Sequence, residues 1–199
     1  MTWRAEDGMR LARLTATDPR GGMRAVLTLG LPSGAAWAAL ALTAVVSSLL
    51  VHLGARMAPP PEGSAIYAVL LASPFRTAAI QAAGLVLSAL VIHAVGRMFR
   101  GRGRIEDSVL AVALLQVFLI ALQVAQLGAL LVFPLLSGLI GLASMVVFLW
   151  LLTAFVAEVH GFRSLLAVLL GIVATVFVLS LLLSFVLVAL VGQEVLGNV

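Results

Sequence analysis

The sequence predicts an all-α integral membrane protein: five transmembrane helices, with a short amphipathic interfacial helix ahead of them. Three observations predict it. First, 63% of the 199 residues are hydrophobic and only 10% are charged, against about 25% charged in soluble domains. Second, the apolar residues form continuous runs rather than alternating, which selects helices over a barrel. Third, the basic residues cluster between those runs. All twelve are arginine.

Residues 1–32 form the amino-terminal segment. Its first thirty residues hold Arg4, Arg10, Arg13, Arg20 and Arg24 with Glu6, Asp7 and Asp18. They contain no apolar core of the kind a signal peptide needs, so none is expected. Met23, Val26, Leu27 and Gly30 recur at helical spacing, and Arg20 and Arg24 fall off that face. With Pro19 suited to a first turn, the pattern predicts an amphipathic interfacial helix over Pro19–Leu31.

Residues 33–192 carry the five spans. Pro32 breaks the first element, and Ser33–Ala55 is long enough for a hydrocarbon core of about 30 Å. Residues 56–76 form the loop at the far side, where Pro59, Pro60 and Pro61 exclude helix. Within it, Ile66–Ala72 is apolar but too short to span, so it is expected in the interface or against the bundle. The second span is Thr77–Gly96. The run from Ser108 to Val159 is uncharged until Glu158 and twice too long for one crossing, so it must turn at Phe133-Pro134. This gives spans over Ser108–Phe133 and Pro134–Val159. Ser164–Val191 is the fifth, and residues 193–199 form a short tail.

The polar interval from Arg97 to Asp107 organises the topology. Arg97, Arg100, Arg102 and Arg104 cannot rest in hydrocarbon, where each would cost at least about 2.5–3.5 kcal/mol at mid-bilayer. Gly101 and Gly103 suit a tight turn, and Glu106, Asp107 and Ser108 supply charge and a cap to the following helix. Counting segments, ten of the twelve arginines fall on one side and Arg56 and Arg76 on the other. That bias puts the amino terminus in the cytoplasm and the carboxyl terminus outside. An arginine-only, alanine- and leucine-rich composition suggests a bacterial inner-membrane protein. The net charge of +4 follows from topology and implies no nucleic-acid partner.

Few residues invite chemistry. With no cysteine, disulfides and thiolates are excluded. No charged residue falls at the middle of a span, which argues against ion-coupled transport and voltage sensing. Gln116 and Gln123 share a face of the third span, with Gln126 roughly 80° away. They are either an internal packing face or a polar contact line for a partner or solute. His93, Glu158 and His160 fall near one interface, where a metal or proton site is conceivable, although solvated loop residues are the plainer reading. No hydrolase triad, P-loop or zincin motif is present, so no enzyme activity and no cofactor are expected. Four arginines at headgroup level, with the amides of Gly101 and Gly103, form a candidate contact for anionic lipid.

Three stretches resemble the Yip domain family, the Ypt/Rab-interacting proteins and their bacterial relatives. Thr17-Asp18-Pro19-Arg20 is similar to the family's entry segment. Gly96 to Gly103 is similar to its glycine-rich loop before the third span, with Arg100 standing where the family often has a further glycine. Glu158-Val159-His160-Gly161-Phe162 is similar to the short loop between the last two spans. The resemblance covers roughly residues 15–192 and implies the same five-span topology. Eukaryotic members are associated with vesicle-trafficking GTPases, membrane shape and cargo sorting, and carry long amino-terminal regions; this chain has about 32 residues there. The expectation is therefore a non-enzymatic scaffold or accessory subunit that binds other integral membrane proteins or organises membrane lipids. The alternatives are a small-solute channel or transporter and a lipid-handling protein.

Overall fold

The computed structural model describes residues 5–59, 67 and 70–196. Seven helices are present among the described residues: α1 (Ala5–Thr17), α2 (Pro19–Thr28), α3 (Ser33–Met57), α4 (Pro74–Met98), α5 (Ile105–Val132), α6 (Pro134–His160) and α7 (Leu165–Leu196). Five of them, α3 to α7, are long and apolar enough to cross a membrane. All regular structure among the described residues is helical, and the expected short amino-terminal helix is there as α2.

Local chemistry explains the boundaries. Asp18 accepts a hydrogen bond from the Gly21 amide at 3.0 Å, and Pro19 occupies the first turn of α2. Pro74 and Pro134 open α4 and α6 in the same way. The Asp107 carboxylate reaches back to the Arg104 amide at 2.9 Å and caps α5. Gly161, with φ of 74°, ends α6, and the Phe162 amide bonds to the Ala157 carbonyl at 2.8 Å. The Ser164 hydroxyl caps α7 by accepting from the Ala167 amide at 3.2 Å.

Two boundaries shift in ways that matter. Helix α6 runs to His160, so Glu158 and His160 belong to a helix end, not to a solvated loop. Helix α7 continues to Leu196, so the first residues of the expected tail are helical. Its 32 residues extend about 48 Å, more than the hydrocarbon core needs. Of the far loop, residues 60–66 and 68–69 lie outside the described residues. The Leu70 carbonyl accepts a bond from the Thr77 hydroxyl, and the Ser48 hydroxyl donates to the Pro74 carbonyl at 2.9 Å, so the start of α4 is fastened to α3.

Helix α5 is central and packs on α3, α4 and α6, while α7 leans on α6. The core is concentrated in one half of the bundle. Ala36, Leu40, Ala89, Val109, Val112 and Ala113 join α3, α4 and α5. Met23, Ala111, Leu115, Leu151, Phe155 and Val159 join α2, α5 and α6. Both clusters lie toward the end that carries the arginine loop. The apolar face of α2 is therefore covered by protein, with Met23 fully buried. In hydrocarbon such contacts are held by packing and polar bonds rather than by transfer from water.

Candidate functional site

The basic end of the bundle brings together three segments far apart in sequence: α2, the loop from Arg97 to Arg104, and the end of α6. Its first feature is an ion-paired triad. Glu158 has a side chain only 11% exposed and accepts from Arg20 Nε at 3.1 Å and from Arg24 Nε at 2.6 Å and Nη2 at 3.0 Å. Arg20 also donates to the Phe162 carbonyl at 3.0 Å. Arg20 thus ties α2 to both the end of α6 and the turn into α7. The bond to Glu158 raises the pKa of Arg24 further, since the charged guanidinium is the form it favours. The sequence placed both arginines off the apolar face of α2 but gave no sign of their partner, more than a hundred residues away.

The second feature is His160, which is buried. Its Nε2 lies 3.0 Å from the Ile92 carbonyl, so a neutral ring donates from Nε2. Three glycines make room for the ring. A methyl added at Gly96 would stand 2.1 Å from His160 Nε2, one at Gly101 2.7 Å from His160 Cβ, and one at Gly103 2.7 Å from His160 Nδ1. Close approach, not turn freedom, therefore requires glycine at 101 and 103. The left-handed residue of the turn is Arg100, with φ of 62°, at the position where the resembled family often has glycine. Left-handed backbone costs a residue with a side chain about 1–2 kcal/mol.

The loop is closed by backbone bonds from the Gly101 amide to the Gly96 carbonyl at 2.8 Å and from the Arg102 amide to the His160 carbonyl at 3.3 Å. Gly101 and Gly103 are buried, and the Gly101 amide is spent inside the loop, so the expectation that exposed glycine amides face phosphate is corrected. Arg97, Arg100, Arg102 and Arg104 are exposed, although the Arg97 guanidinium also donates back to the Gly101 carbonyl at 3.5 Å. Arg104 pairs with Glu106 at 3.5 Å.

The conceivable metal site does not assemble. Glu158 is engaged by two arginines, and among the described residues no group of three His, Cys, Asp or Glu is placed to hold a metal ion. Among the described residues, His93 Nδ1 and His160 Nδ1 are buried without a hydrogen-bond partner.

The glutamines divide. Gln116, only 7% exposed, donates to the Ser47 hydroxyl at 3.1 Å, and Ser47 donates to Gln123 Oε1 at 3.3 Å. This chain of bonds crosses from α5 to α3. Gln126 faces α6 instead, where its Nε2 would stand 3.1 Å from a methyl added at Gly141. Changing Gln116 and Gln123 together to leucine should lower stability in detergent by about 1–2 kcal/mol, since each interhelical bond contributes about 0.6 kcal/mol on average, while insertion is unchanged. A double variant as stable as the parent would remove this pair from the account of the bundle.

Comparison with known proteins gives one finding. The sequence model of the Yip1 domain matches residues 13–188. No curated protein and no solved structure gives a match. The match covers nearly the whole chain, and the chain belongs to the Yip1 domain family.

Proposed function

We propose that this multi-pass Yip1-domain protein is a non-enzymatic scaffold or accessory subunit of the bacterial cytoplasmic membrane. It gathers other integral membrane proteins or lipid around a rigid basic end that faces the cytoplasm. The observation that carries this reading is how the polar residues at that end are used. Glu158, Arg20, His160 and the three glycines fasten helices and loop to one another. What remains outward is a row of arginines beside exposed Met98 and Phe99. Basic and apolar side chains together suit the headgroup layer, where each arginine adds about 1 kcal/mol of attraction to anionic lipid.

Gln116 borders a groove between α4 and α7, but its amide and that of Gln123 are both bonded to Ser47, which supports packing over a solute path. Purification in mild detergent, followed by identification of co-purifying protein and lipid, tests the proposal. A chain that retains no partner and instead conducts a solute after reconstitution would overturn it. Orientation has its own test. A reporter active only outside the cytoplasm should work when fused after Glu62 or Val199 and fail after Gly103 or Gly161. Activity at Gly103 would invert the topology.

A further inference from the structure

Helices α4 and α7 leave the basic end of the bundle side by side without packing closely on each other. Between them lies an apolar groove of about 710 Å³, within the range of small-molecule sites. Its floor is made by α5 and α6, through residues such as Leu119 and Leu152. The wall from α7 presents the small residues Ala167, Gly171 and Thr175 at successive turns, beside the larger Val168, Ile172 and Val176. A methyl added at Gly171 would meet nothing within 4 Å.

The length of the groove selects its occupant. It runs from the cap Phe99 back along α4 to Leu85 and from Ser164 along α7 to Leu179, about 21–23 Å on each wall. That is half of a bilayer about 40–45 Å thick including headgroups, so it matches one leaflet. A solute path or a partner helix would need the full crossing, although small residues four apart also suit helix contact. The mouth lies at the basic end. Arg163 lines it beside Ser164, is exposed, and has no carboxylate in ion-pair reach among the described residues.

We propose that this groove is a binding site for one anionic phospholipid, with an acyl chain between α4 and α7 and the phosphate at Arg163. The inference rests on the reading of the protein as one that organises lipid, and gives that reading a site. The headgroup preference comes from Arg163 and the retention from the groove, so two substitutions separate them.

The test is native mass spectrometry of the full chain after delipidation, with phosphatidylglycerol or phosphatidylcholine added back. The wild type should retain one phospholipid and prefer phosphatidylglycerol. Gly171→Leu should fill the groove and abolish retention, with thermal stability unchanged or raised. Ala167→Leu is the second plug and should do the same. Arg163→Gln should still retain lipid but lose about fivefold of the preference for the anionic headgroup, the share of one basic residue. Equal retention by wild type and both plugged variants would overturn the site. So would a plugged variant that keeps its lipid but falls from a dimer to a monomer, since the groove would then hold a second copy. A failure to find any co-purifying protein would count against the scaffold reading and leave these lipid counts as they stand.

Discussion

Gly101→Ala is expected to be among the most damaging single methyl additions in this chain. The new Cβ would stand 2.7 Å from the Gly96 carbonyl oxygen and 2.7 Å from His160 Cβ. One is backbone and the other is fixed to it, so neither can swing aside. Overpacking usually costs about 1–3 kcal/mol, and a methyl between two immobile walls belongs at or above the top of that range. Gly96→Ala differs, because the three atoms nearest its methyl all belong to the ring of His160, with Nε2 at 2.1 Å. Removing the ring should therefore relieve it. In a double-mutant cycle read by denaturant unfolding in mixed micelles, Gly96→Ala should cost several kcal/mol in the parent and a few tenths in the His160→Ala background. Equal costs in both would mean the glycine serves something other than the ring. Gly128→Ala and Gly138→Ala are the controls. Both lie inside helices with nothing within 4 Å of the added methyl, and alanine should stabilise them by about 0.5–1 kcal/mol.

The sequence made the spans legible because the bilayer fixes their length. An apolar run from Ser108 to Val159 has to turn once, and Pro134 marks where. The arginine loop was legible as a non-membrane segment for the same reason. Its interior was not. Gly101 and Gly103 look like turn residues in a sequence, since nothing local distinguishes a glycine needed for backbone freedom from one needed for close approach. The positive φ fell on Arg100 instead. Helix α1 escaped notice because its arginines interrupt the apolar pattern. The docking of α2 escaped because a face that suits the membrane interface also suits the side of α6, and hydrophobicity alone cannot separate the two. Glu158 and His160 read as loop residues because charge near the end of an apolar run ordinarily marks water. Here each is partnered by groups from other segments, which spacing within one run cannot reveal. A pair of arginines in the order Arg-x-x-x-Arg on a short helix, with one carboxylate at the end of an apolar run elsewhere, was the signal available.

Glu158→Ala should release the amino-terminal helices while leaving the five-span bundle folded. The carboxylate takes three hydrogen bonds from two arginines, and charged hydrogen bonds contribute about 1.5–3 kcal/mol each where they are enclosed. The two arginines are not equal. Arg24 is 63% exposed, so its bonds are weakened by water and salt. Arg20, at 30%, is more enclosed and would keep only the Phe162 carbonyl after the substitution. A net loss of about 2–3 kcal/mol follows, which is roughly a 30- to 150-fold fall in amide protection. Hydrogen exchange should place that fall in α1 and α2, with α5 and α6 unchanged. Arg24→Ala should give a much smaller fall that vanishes at high salt, while Arg20→Ala should approach Glu158→Ala. Glu158→Gln keeps an acceptor but not the charge, so it should fall between. If Glu158→Ala leaves exchange in α2 unaltered, then Met23 and its apolar neighbours hold the helix alone, and the ion pairs only set the angle at which it lies.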